Sequence, residues 1–144
     1  MIAERFQAHQ HASVITSMVG IGTLLGAEFL SGIGGSLDGF ASPDHLAGYA
    51  GLAPAPRDSG RRTGNLHRPK RYNRQLQQVF YTSALISIQR SPASRAYYDR
   101  KRAEGKRHSQ AVLALARRRV NVLWAMLRDD RIYQEPASPS VLAA

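Results

Sequence analysis

A chain of 144 residues with 20 Lys and Arg against 10 Asp and Glu has a formal charge of +10. That charge opposes self-association and draws polyanions, with nucleic acid ahead of an acidic membrane surface as partner class. The length suits one domain with one real core, and the absence of cysteine excludes a disulfide framework and thiolate zinc sites. No apolar run reaches the roughly 18 residues of a membrane span and the N-terminus has no apolar signal core, so a soluble, intracellular protein is expected.

The charge is unevenly placed: Arg5 is the only basic residue before position 57, and the other nineteen follow it. In the neutral first third, "AERFQAHQHASVITSM" has the spacing of one helix running to about Met18, with Phe6, Val14 and Met18 or Ile15 on its inner side. His9 and His11 are too close in sequence to share a helical face and the other histidines are scattered, so no metal site is expected. Gly20 and Gly22 then bracket Ile21, which permits a tight turn before helical periodicity resumes at Thr23. The turn resembles a helix-hairpin-helix element, in which backbone amides at a helix start face a phosphate. Such short glycine signals also occur as plain tight connections, and Val19 stands where that element usually has proline. After a loop, "GGSLDGF", Ser42 followed by Pro43 predicts a capped helix start for "PDHLAGYA".

Residues 51–66 hold Gly51, Pro54, Pro56, Gly60 and Gly64, which predicts an irregular loop or a short β-hairpin. From Arg57 to Arg74 the cations Arg57, Arg61, Arg62, Arg68, Lys70, Arg71 and Arg74 face one acid, Asp58, a local charge of +6. Such a run is a solvated charged surface or, as favoured here, a phosphate-binding loop in which an anion relieves the mutual repulsion. A helix follows with Leu76, Phe80, Ala84 and Ile88 as its inner stripe and Tyr81 beside it. Ser91-Pro92 should end it and cap a second helix, which Gly105 terminates. Tyr97 and Tyr98 in that second helix suit the core better than base stacking. A third helix should bury Val112, Ala116, Val120, Leu123 and Leu127, with Trp124 also in the core. Arg118 projects away from this seam, whereas Arg117 and Arg119 should cover it with their stems and send their charges outward. The tail 131–144, with its prolines, is expected to be disordered. The fold class is thus mainly α, a single helical domain over 1–130.

Four segments, "MVGIGTLLGAEFLSGIG", "FASPDHLAGYAGLAPAPRDSGRR", "KRYNRQLQQVFYTSAL" and "SRAYYDRKRAEGKRHSQAVLALARRRVNVLWAMLRD", stand in the order of a known domain. They resemble the C-terminal transposase domain of the Piv/MooV-type invertases and the insertion sequence one hundred and ten family, also called bridge recombinases. That resemblance implies DNA transposition and recombination, DNA as partner, a guide RNA, a homo-oligomer, and a bacterial cytoplasmic, nucleoid-associated location. It also implies a RuvC-like N-terminal domain binding Mg2+, for which this chain has no matching segment. A truncated transposase is therefore the expectation, ahead of an isolated domain or one half of a split enzyme. Carried over by motif, the resemblance makes Ser59, followed by Gly60, the nucleophile. It leaves Arg57, Arg61 and Arg62 to stabilise the transition state. The element Lys70, Arg71, Tyr72, Asn73 matches the family's, except that Tyr72 replaces a glycine. Gly20, Gly22, Arg57, Gly60, Arg61, Arg62, Arg68, Lys70, Arg71, Asn73 and Arg74 are the candidate nucleic-acid-binding residues. A binding module without chemistry is the competing reading.

Overall fold

Short-range signals at helix ends account for several of the element boundaries. A computed structural model describes residues 2–52 and 72–136 of the chain. In order these form α1 (Ile2–Gln7), α2 (Ala12–Ser17), α3 (Thr23–Gly32), a single 3-10 turn (Leu37–Gly39), α4 (Pro43–Tyr49), α5 (Arg74–Arg90), α6 (Pro92–Ala103) and α7 (His108–Asp129). No strand occurs among the described residues, in keeping with the expected mainly α class.

Ser42 takes the cap position and accepts the His45 amide at 3.1 Å, with Pro43 opening α4. Ser91 closes α5 and also opens α6, where its hydroxyl accepts the Ser94 amide at 3.1 Å. An extended serine before proline satisfies one orphan amide and presets the next residue for the helix, so one dipeptide makes each corner. Gly105, at φ +97°, follows the end of α6 as expected.

α5 is the central helix, packing on α3, α6 and α7. Its stripe of Leu76, Phe80, Ala84 and Ile88 is buried. Phe80 meets Phe29 of α3 edge-on, with ring centroids 5.8 Å apart, an arrangement that sets the positive edge of one ring toward the negative face of the other. α7 buries Val112, Ala116, Val120, Leu123 and Leu127 as its periodicity predicts.

Three expectations are corrected. The first helix does not run to Met18 but breaks between Gln7 and Ala12. There the His9 ring nitrogen accepts the His11 amide at 3.1 Å, a local side-chain acceptor that competes with the helical carbonyl. Phe6, Val14, Ile15 and Met18 nevertheless reach the core from the two shorter helices. Trp124 is half-buried, packed against the outside of the core. Arg119 does not send its charge outward: it is 3% exposed, with its guanidinium held by the Val19 carbonyl and the Ser83 hydroxyl.

Residues 131–136, the start of the expected tail, lie back across the helices. The Tyr133 amide donates to the Ser17 hydroxyl at 2.8 Å, and the Glu135 carboxylate accepts from the Ser91 hydroxyl and, at 3.0 Å, from the Ala93 amide. Desolvation works against the charged Glu135, but these bonds and that of the Tyr133 hydroxyl outweigh it and hold the carboxyl below its ordinary range. A carboxylate beside the first amides of α6 also suits the positive end of that helix. Residues 137–144 lie outside the described residues.

Candidate nucleic-acid interface

Of the residues that the sequence nominates, Ser59, Arg57, Gly60, Arg61, Arg62, Arg68, Lys70 and Arg71 lie outside the described residues. So does the loop or hairpin expected over 51–66, apart from its first two positions. What the structure describes is the mounting of that segment. The chain leaves at Gly51 and Leu52, both buried, and is described again from Tyr72. The two ends are tied together: the Asn73 amide donates to the Tyr49 carbonyl at 2.7 Å, and the Gln77 side-chain amide donates to the Gly51 carbonyl at 3.2 Å. The described residues on either side of positions 53–71 thus meet at the junction of α4 and α5.

Tyr72, the departure from the family's glycine, has a structural counterpart in Gly51. Gly51 sits at φ +72°, and a Cβ built there would come within 2.5 Å of the Tyr72 ring. The missing side chain makes room for the aromatic ring and also permits the left-handed backbone. Gly51→Ala is expected to lower stability by about 1–3 kcal/mol, from the left-handed strain and the forced shift of the ring. A urea unfolding midpoint compared with the parent chain checks it.

Asn73 is already engaged, because its side-chain oxygen accepts the Leu76 amide at 2.9 Å and caps α5. Arg74 is exposed in the first turn of that helix and makes no ion pair among the described residues. The same helix end thus supplies a fixed asparagine and a cation without an ion pair among the described residues.

Gly20 and Gly22 take separate parts in the turn between α2 and α3. The Ile21 amide donates to the Met18 carbonyl at 3.1 Å, and Ile21 itself is buried. Gly20, at φ +92°, lies against α5 so closely that a Cβ would stand 2.4 Å from the Ser83 carbonyl oxygen. Gly22 is exposed with open space around it, and it precedes α3 without a side-chain bond to the amides of the first turn. Thr23 and the largely exposed Leu24 follow. Amides in this position have no partner within the helix and favour an anion.

Most of the other basic residues described lie on α6, α7 and the turn between them, with Arg5, Arg90 and Arg131 elsewhere. Arg95 pairs with Asp99, Lys101 with Glu104, and Arg117 of α7 with Asp44 of α4. Arg100 and Arg118 have no carboxylate partner among the described residues and both approach the Tyr97 ring. Tyr97 and Tyr98 are half-buried, and the Tyr98 hydroxyl lies 2.7 Å from His108 Nδ1. Helical periodicity does not reveal that Tyr97 gathers cations from two helices, because Arg118 is 21 positions away.

Among the described residues no three His, Asp or Glu side chains cluster as a divalent cation requires. They do not fit the magnesium that the resemblance implies for a companion domain, and no step proposed for Ser59 is routed through it. No helix among the described residues is long and apolar enough to cross a membrane.

Comparison with known proteins places this chain in a family. Residues 12–99, more than half of the chain, match the model of the transposase IS116/IS110/IS902 family. A 42 kDa protein of insertion element IS900 from Mycobacterium paratuberculosis is 64% identical over 143 residues, covering 99% of this chain and 36% of the relative. A 44.8 kDa protein of insertion element IS116 from Streptomyces clavuligerus is 56% identical, covering 96% of this chain and 34% of the relative. The pilin gene-inverting protein of Moraxella bovis is 28% identical, covering 90% of this chain and 40% of its own length. The chain spans about a third of the length of the insertion-element relatives, and the matched stretch contains the turn between α2 and α3, the positions around Ser59, and the start of α6. The chain therefore belongs to the IS116/IS110/IS902 family of transposases.

Proposed function

We propose that the chain is the DNA-handling and strand-transferring part of a transposase, with Ser59 as nucleophile. The observation that carries the reading is the family match across residues 12–99, which spans Ser59 and both anchored ends of its segment. In the proposed step the Ser59 Oγ attacks a DNA phosphorus, forming a phosphoserine bond as the bond from phosphorus to a deoxyribose oxygen breaks. The serine proton passes to a base, and the leaving sugar oxygen ends as a hydroxyl. The phosphodiester energy is kept in the covalent intermediate, so the reverse attack by another sugar hydroxyl rejoins a strand. Negative charge accumulates on the phosphoryl oxygens in the transition state, and Arg57, Arg61 and Arg62 are the cations assigned to it. Gly20, Gly22, Gly60, Arg68, Lys70, Arg71, Asn73 and Arg74 are proposed to hold the DNA backbone. A companion RuvC-like domain with Mg2+, a guide RNA, an oligomeric assembly and a nucleoid location belong to the same reading.

The test is covalent trapping on DNA carrying element ends, with guide RNA and magnesium. The chain is supplied with the N-terminal part of a longer relative, and an intact relative runs in parallel. The expected result is a protein–DNA adduct that survives denaturation with the parent chain and is absent for Ser59→Ala. If the intact relative forms adducts and this chain does not, although it binds DNA, the catalytic reading fails and the binding module remains. Binding has its own signature. With about six phosphates contacted, log affinity for duplex DNA should fall with log salt at a slope of roughly −5. A slope near zero, measured by fluorescence anisotropy between low and moderate salt, would overturn both readings.

A further inference from the structure

Tyr97 of α6 stands at the meeting of three cations. Arg100 and Lys101 come from the following turn of α6 and Arg118 from α7, at 5.2, 5.4 and 5.1 Å from the ring centroid. Lys101 has Glu104 at 3.3 Å. Among the described residues Arg100 and Arg118 have no carboxylate partner and approach the ring, which offers the partial negative charge of its face. Two guanidiniums drawn to one side chain without a carboxylate leave a site with an anion deficit.

The same ring borders a cleft of about 730 Å³ between α6, α7 and residues 133–136. Met18, Leu115 and Val122 supply apolar wall, and Tyr133 lines it as well. Beside the two cations, then, is a hollow for a flat, weakly polar group. An acidic peptide would satisfy the charge and leave the hollow empty. Duplex nucleic acid would also satisfy the charge, but it keeps its bases stacked within the helix. A nucleotide of an unpaired strand carries both complements at once, a phosphate and an exposed base with an aromatic face.

We propose that this cleft binds one nucleotide of an unpaired nucleic-acid strand, the base lodged against Tyr97 and the adjoining phosphate held by Arg100 and Arg118. The inference rests on the nucleic-acid-binding reading above and adds to it a second site, built from residues of α6, α7 and 133–136 rather than from the stretch that carries Ser59. The sugar is left to experiment, since base stacking and phosphate pairing are common to DNA and RNA.

The test uses the full chain and oligonucleotides with a single 2-aminopurine, whose fluorescence is quenched on stacking, in unpaired DNA, unpaired RNA and duplex DNA. Quenching is expected with at least one unpaired strand, and the strand quenched at lower protein concentration identifies the sugar. Tyr97→Leu should remove the quenching and weaken unpaired-strand binding about tenfold, while Tyr97→Phe retains both. Arg118→Gln, on an exposed face where folding is indifferent, should weaken binding and flatten the salt dependence by up to about one unit of slope. Helical circular dichroism checks that each variant is folded, and should Tyr97→Leu not fold, the Arg118→Gln result decides. Unpaired-strand quenching that persists in Tyr97→Leu, an Arg118→Gln slope equal to the parent's, or equal displacement of the probe by polyglutamate would each overturn the inference. A chain that binds duplex DNA with the expected slope yet shows no Tyr97-dependent quenching overturns this inference alone. One that binds neither duplex nor unpaired strands overturns the reading beneath it.

Discussion

Gly20→Ala is expected to destabilise the fold by about 3 kcal/mol, while Gly22→Ala, two positions on, should cost no more than about 1 kcal/mol. At Gly20 two penalties coincide. The backbone is left-handed at φ +92°, which costs an L-residue roughly 1–2 kcal/mol. The new Cβ would also lie 2.4 Å from the Ser83 carbonyl oxygen and 3.2 Å from its carbon. Those atoms belong to the backbone of the central helix, so relief requires moving α5 or the turn, at a further cost of about 1–3 kcal/mol. At Gly22 nothing stands within 4 Å of the added carbon and φ is −96°, leaving only the modest preference of a helix cap for glycine over alanine. Urea midpoints for the two variants measure the contrast directly, and equal losses would contradict it. DNA affinity measured on the same samples separates packing from phosphate contact. The methyl group of Gly22→Ala stands at the open start of α3, so weaker binding at nearly unchanged stability supports an anion there. Unchanged affinity removes Gly22 from the interface.

The difference between those glycines could not be read from "GIG", and the reason is general to the chain. Ser42-Pro43 and Ser91-Pro92 were legible because cap and amide lie three residues apart, so cause and effect sit in one short window. The stripe of Leu76, Phe80, Ala84 and Ile88 was legible because one period repeats along α5. Gly20, by contrast, is defined by Ser83, and Arg119 by Val19, 100 positions away. For Arg119 a local clue did exist: it lies four residues after Leu115 and four before Leu123, in the middle of a buried row. Arginine at such a position is ordinarily assigned to the flank, because its stem can reach around a helix to water. A carbonyl left free by a tight turn reverses that choice. The ordered family segments, rather than local chemistry, nominate Ser59, since an isolated serine among basic residues has no distinguishing spacing. The grouping of Arg118 with Tyr97 depends on how α6 meets α7, which the periodicity of either helix alone does not specify.

Arg119→Ala is expected to lower stability by about 2–4 kcal/mol and to loosen the turn between α2 and α3 selectively. Burial lowers the guanidinium's pKa to about 10, against the opposing pull of Tyr133 and Glu135. The group therefore remains protonated at neutral pH, and the folded chain carries an almost enclosed cation. Its desolvation is offset by a charge-assisted bond to the Val19 carbonyl and a weaker one to the Ser83 hydroxyl at 3.4 Å. Alanine removes both bonds, leaves the Val19 carbonyl without this donor and opens a cavity between α5 and α7. Arg119→Met keeps most of the stem volume and discards the charge, so it should lose less. The two variants divide packing from anchoring: if the stem alone matters, methionine restores the parent midpoint. Anchoring has a further readout in amide exchange. The Ile21 amide bonds back to Met18 across the turn that Arg119 holds, so its protection should fall in both variants by more than the global loss of stability explains. Protection that falls only in step with global unfolding would make Arg119 a packing residue. A turn freed from α7 while the helices stay folded would make it the tie that fixes the start of α3, where the DNA backbone is proposed to sit.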